Sequence, residues 1–226
     1  MWKVKNRKGK YQMYPINNIL GIEEQERQID GSHAVILLFV KPSDPNADEI
    51  ISNINYLHHR SKGYCSIYLI GYAREMYNVY PDVQIVHGIN QESWQYSDQC
   101  FIEVCDQLET RLKNWTYCGE PEMILLQNSS SFDNGKLLDF RNYNYIDINY
   151  GVQHAYIDSF QRFMERILRA CRSETEAQRV VDLANHKRLS WRKIIETAME
   201  YDNRLPAPIK DIIGNKLFFK TYRDAA

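Results

Sequence analysis

The sequence predicts a three-layer α/β fold: a mainly parallel sheet of about five strands, helices on both faces, and a helical C-terminal extension. Three observations predict it. Apolar runs without alternation recur at 34–40, 65–70 and 123–126, which is how strands buried on both faces read. Between the first two, Ile50, Ile51, Ile54 and Leu57 form a helical stripe, giving a βαβ unit with a right-handed crossover. The 226 residues are enough to bury a sizeable core without a metal or a disulfide.

The elements follow in order. Residues 1–32 read as a basic N-terminal arm or small strand pair, opening with Lys3, Lys5, Arg7, Lys8 and Lys10. After the buried strand at 34–40, Lys41-Pro42-Ser43-Asp44-Pro45 breaks the run. Asp44 suits a helix cap, with Pro45 as the first helical residue. Gly63 ends that helix region. The strand at 65–70 is left through Gly71-Tyr72-Ala73-Arg74, at the end where open parallel sheets bind ligands. Residues 75–92 read as a loop with a short strand at 83–86. A helix over 97–113 places Cys100, Phe101, Val104, Cys105, Leu108 and Leu112 on one face. Pro121 precedes the third buried strand, and two short strands are expected at 137–140 and 145–148.

The cleanest amphipathic helix carries Tyr156, Phe160, Phe163, Met164, Ile167, Leu168 and Cys171. Ser173-Glu174-Thr175-Glu176 reads as a capping box for another helix. Ser190-Trp191 opens a further one, which Leu205-Pro206-Ala207-Pro208 ends. The expected organisation is therefore an arm at 1–32, an α/β domain at 33–172, and an α-helical extension at 173–226 packed on it.

Composition narrows the function classes. A net charge of −1 argues against a wholly basic nucleic-acid binder. The basic segments near Lys3 and His186-Lys187-Arg188 read as solvated faces. Sixteen tyrosines suit half-buried surfaces and interfaces. Five cysteines, none spaced as C-x-x-C, read as reduced thiols and give a cytoplasmic expectation. The opening residues lead into polar sequence, so no signal peptide is expected, and the longest apolar run is too short for a membrane span. The patterns of a P-loop and of a serine-hydrolase elbow are missing, as is the Asp-x-Lys or Glu-x-Lys triplet of many metal-dependent nucleases. His58-His59-Arg60 suits the negative end of a helix dipole. Adjacent histidines point apart on a helix, so no metal site is expected.

The most informative segment is Ser97-Asp98-Gln99-Cys100-Phe101-Ile102-Glu103, which follows Val83-Gln84-Ile85-Val86 and a polar loop. It resembles the Ser-x-x-Cys-x-x-Glu segment of enzymatic Toll/interleukin-receptor (TIR) domains. Gln99 stands where that family usually has tryptophan. The strand at 34–40 with Ser43-Asp44 resembles the family's opening strand and polar loop, and the likeness spans 34–148. It implies a TIR/flavodoxin-like sheet and a nucleotide-binding or NAD-cleaving domain in bacterial signalling or antiphage defence. Glu103 would be the catalytic carboxylate. Asp44, Tyr72, Arg74 and Ser97 would contact ribose, base or phosphate. NAD would be a substrate, with no cofactor and no metal.

Cys65-Ser66-Ile67-Tyr68-Leu69-Ile70-Gly71 is similar to the strand and glycine of nucleoside deoxyribosyltransferase-like proteins, which also direct a glutamate at a ribose. The segment from Asn55 to Ser61, with 67–72, is similar to segments of uncharacterised bacterial α/β proteins. The alternative expectation is a non-enzymatic sensor or protein-interaction module. Its tyrosine-rich surface and helical tail would bind a partner protein, a second copy or a signalling nucleotide, with no membrane involved.

Overall fold

The computed structural model describes residues 13–29, 33–61, 64–76, 79–87, 92–128, 137–181 and 219–222. The chain begins with β1 (Met13–Ile16), α1 (Ile19–Glu26) and β2 (His33–Phe39). Two short helices follow, α2 (Ala47–Ser52) and α3 (Ile54–Ser61), and then β3 (Cys65–Ile70). Next come β4 (Tyr72–Ala73), β5 (Gln84–His87), β6 (Ser93–Tyr96) and α4 (Asp98–Glu109). The last elements are β7 (Glu122–Asn128), β8 (Tyr143–Asp147), α5 (Ile148–Gln153), α6 (Phe160–Val181) and β9 (Phe219–Tyr222).

The main sheet has six strands in the order β1-β3-β2-β7-β8-β9. Only β1, β3 and β2 are parallel; β7, β8 and β9 each run antiparallel to the preceding neighbour. The mainly parallel sheet expected from sequence is therefore corrected to a mixed one. The reason is physical: a strand covered on both faces is apolar throughout, whichever way it runs. Every residue of β2, β3 and β7 is buried, and β2 and β7 pair from His33↔Asn128 to Phe39↔Glu122.

Helices cover the sheet in two groups. The connection from β1 to β2 steps over the position of β3, and that from β2 to β3 steps back. Right-handed crossovers in opposite directions put their helices on opposite faces. Accordingly, α1 packs with α4, whereas α2 and α3 pack with α6, which also lies on β2 and β3. The stripe Ile50, Ile54 and Leu57 is buried, as are Phe160, Phe163, Met164, Ile167, Leu168 and Cys171 of α6.

Several local expectations change. Within the segment expected to be an arm or a small strand pair, Met13–Ile16 form β1, an edge strand of the main sheet, where Pro15 costs no central ladder bond. At the opposite edge β9 pairs with β8, so the C-terminal part is not purely helical. Lys3–Lys10 and the helix expected after Ser190 lie outside the described residues. No helix starts at Ser173, since α6 runs on through it to Val181. Asp44 does not cap α2. Its carboxylate accepts the Lys41 amide at 2.6 Å, and Asn46, in the left-handed region at φ 63°, precedes the helix. Among the described residues, no helix is long and apolar enough to cross a membrane.

A buried polar knot ties α1 to the sheet. Glu26 lies 2.7 Å from His33 Nε2 and accepts the Tyr68 hydroxyl at 2.6 Å and the Asn128 amide at 2.5 Å. Burial pushes its carboxyl up, but the His33 and Tyr68 bonds outweigh that and hold it below the usual range.

Candidate functional site

The reversal of crossover direction creates a switch point between β2 and β3. The chain leaving β2 goes to the α6 side and the chain leaving β3 leads to α4 on the α1 side. Ligands of open α/β sheets bind at the carboxyl ends of strands beside such a point. Val40, Lys41 and Asp44 leave β2 here, and Gly71 and Tyr72 leave β3. A second, three-stranded sheet, β4-β6-β5, begins one residue beyond β3 and so stands on this end. It exists because Tyr72 and Ala73 pair with Tyr96 and Gln95 of β6, and β5 pairs with the other edge of β6. The expected strand at 83–86 is thus real but belongs to this small sheet, and β6 directly precedes Ser97.

Tyr72 is fully buried. Its hydroxyl donates to the Val40 carbonyl at 3.0 Å and its ring centroid lies 4.9 Å from that of Tyr96. Burial drives its ionisation well up, and the charges of Asp44 and Asp98 add to the effect. The Tyr96 hydroxyl donates to Asp98 at 2.7 Å. Asp44 is half-buried, and burial raises its carboxyl despite the Lys41 amide and ammonium, the latter at 3.7 Å. Lys41 also lies 5.8 Å over the Tyr117 ring.

Helix α4 starts at the same end because the Gly71 carbonyl accepts the Ser97 amide at 3.3 Å. Ser97 caps the helix by accepting the Cys100 amide at 3.1 Å, and its hydroxyl donates to Asp82 at 2.6 Å. Asp82 also accepts the Gln99 amide at 3.0 Å, so a side-chain carboxylate already fills this helix N-terminus. Glu103 is exposed. It accepts the Tyr80 hydroxyl at 2.8 Å and the Gln99 side-chain amide at 3.1 Å. Tyr80 and Asp82 therefore bind Glu103 and Ser97 from one short segment.

Of the five residues singled out by sequence, Asp44, Tyr72 and Ser97 stand at the carboxyl ends of β2 and β3. Glu103 lies six residues along α4, about 9 Å further along the axis. Arg74 points to solvent and pairs with Glu92 at 3.3 Å.

A second constellation, not singled out by sequence pattern, stands at the amino end of β7. Glu122 is fully buried. Trp115 Nε1 donates to its Oε1 at 2.8 Å, and the Cys118 thiol donates to its Oε2 at 3.0 Å. The Tyr145 hydroxyl reaches the same sulfur at 3.6 Å. Burial pushes the Glu122 carboxyl up to about 7, and burial together with Glu122 raises the Cys118 thiol. The available signal was Glu122 itself, a charged residue directly before a buried apolar strand. Among the described residues no cluster of His, Cys, Asp and Glu could hold a metal ion. No family model, no curated protein and no solved structure matches the chain.

Proposed function

We propose that the chain is a nucleotide-binding α/β domain of TIR-like kind, with its ligand at the carboxyl ends of β2 and β3 and Glu103 serving cleavage of the nicotinamide–ribose bond of NAD. The observation carrying this reading is the switch point, where three of the five polar residues expected from sequence stand together. In the reaction, the bond between nicotinamide and ribose breaks and water supplies the new group on ribose. Positive charge develops on the sugar, and a fixed carboxylate stabilises it. Tyr80 and Gln99 each hold one oxygen of Glu103, the kind of support a carboxylate needs for that task. The setting that the resemblance implies is cytoplasmic bacterial signalling or antiphage defence.

A non-enzymatic sensor or interaction module is the second reading. Two observations favour it: Asp82 already satisfies the start of α4, and Ile102 and Val79 are exposed beside Glu103 and Tyr80 in sequence. Such a surface suits a partner protein or a second copy.

Purified protein incubated with NAD, followed by chromatography for nicotinamide, tests the first reading. Release by the wild type and none by a folded Glu103→Gln variant is expected. Equal release by both overturns the role of Glu103. A rise in melting temperature with NAD that stays intact supports the sensor instead.

A further inference from the structure

We propose that Cys118 is a peroxide-reactive thiol served by Glu122 as its base, a modification site separate from the Glu103 helix. Four side chains from three parts of the chain, Cys118 among them, meet here. Cys118 and Trp115 come from the loop after α4, Glu122 opens β7, and Tyr145 lies on β8, the neighbouring strand. This is the arrangement that activates nucleophiles: a nucleophile within hydrogen-bond reach of a base, and the base held by a third group. Trp115 is that third group, since its indole N–H fixes one oxygen of Glu122 and leaves the other for the sulfur.

Accessibility singles out this thiol. Cys65, Cys100, Cys105 and Cys171 are buried, whereas Cys118 is exposed. Its base is fully buried, so the reacting sulfur lies between solvent and a carboxylate that water does not reach. The groups that Glu122 faces are Cys118 and Tyr145, with Cys105 on α4, Tyr117 in the loop and Tyr222 on β9 close enough to feel its charge. Lys220 lies over the Tyr145 ring at 5.3 Å.

The co-reactant is a small hydroperoxide, for which hydrogen peroxide is the probe. Glu122 takes the thiol proton as the sulfur lone pair attacks one peroxide oxygen. The S–O bond forms and the O–O bond breaks. The departing oxygen takes the proton from Glu122 and leaves as water. Sulfur is oxidised by two electrons to a sulfenic acid, and the peroxide is reduced. An external thiol then displaces water from the sulfenic acid to give a mixed disulfide, and a second thiol restores Cys118.

The test uses the full chain with hydrogen peroxide and dimedone, quenched over time and mapped by mass spectrometry. The sulfenic-acid adduct is expected on Cys118 ahead of the four buried cysteines. Its rate against pH should show a step near neutrality, where Glu122 ionises, before the rise that follows ionisation of the thiol itself, which burial and Glu122 push up to about 11. Glu122→Gln should slow labelling about a hundredfold, the low end of what a positioned base contributes. Should that variant fail to fold, the wild-type pH profile decides. A single rise confined to the alkaline range in which the thiol itself ionises overturns the proposal. So does labelling of Cys118 no faster than in the urea-unfolded chain, or a folded Glu122→Gln protein that labels at the wild-type rate.

Discussion

Gly71 and Phe101 approach so closely that a Cβ on the glycine would lie 2.7 Å from the Phe101 Cβ. Gly71 also has φ 82°, in the left-handed region that glycine alone enters freely. This contact sets helix α4, and with it Ser97 and Glu103, against the carboxyl end of β3. Gly71→Ala combines backbone strain with overpacking. It should destabilise the protein by about 2–4 kcal/mol in urea unfolding. A loss below about 0.5 kcal/mol would show that α4 can retreat without cost.

Ser97 performs two tasks, capping α4 and donating to Asp82. Ser97→Ala should cost about 1–2 kcal/mol, as the loss of an N-cap does. The Ser97 hydrogen bond is the main cause that holds the Asp82 carboxyl below its ordinary 3.8. In the variant, NMR titration should find that carboxyl moved back up toward 3.8.

Glu26 is the shared acceptor of His33, Tyr68 and Asn128. Glu26→Ala removes the buried carboxylate that His33, Tyr68 and Asn128 share. The expected loss is about 3–5 kcal/mol, the cost of breaking a buried pair on one side. Chemical denaturation measures it, and α1 should show the earliest rise in amide exchange.

Glu165 joins α6 to α3 by accepting from Arg60 and from the Tyr56 hydroxyl, the latter at 2.5 Å, and it also accepts from Arg169 at 2.8 Å. Burial pushes its carboxyl up, but these bonds outweigh burial and hold it at about 2, against 4.5 ordinarily. Because the folded value is depressed, the stabilisation is fully present above 4.5 and lost as pH falls toward 2. Melting temperatures of the wild type and Glu165→Gln should differ at neutral pH and converge on acidification through that window. A constant gap would show that the carboxylate's charge contributes nothing.

Much of the fold was legible because burial leaves a mark on composition. The unbroken runs of β2, β3 and β7 are apolar on both faces, and the stripes of α4 and α6 repeat at helical spacing. Ser97 was legible as a cap for the same local reason. The edge strand β9 was not, nor was the place of β1 beside β3. Both strands are short, and their pairing is made with residues far along the chain. β6, Ser93-Trp94-Gln95-Tyr96, alternates polar and aromatic residues but over only four positions, and it acquires its role by pairing with β4 and β5.

The sequence by itself determined which segments are buried, and so the α/β class, the βαβ unit and the helix that carries Ser97 and Glu103. Strand direction was decided by tertiary structure, because a fully covered strand looks alike in either sense. So was the gathering of Asp44, Tyr72 and Ser97 at one sheet end, which depends on the strand order. The approach of Cys118 to Glu122 and Tyr145 belongs to the same class. It arises from the pairing of β7 with β8, a hydrogen-bonded register between separated segments. Local periodicity records what each residue is surrounded by, and only the register records which residues meet.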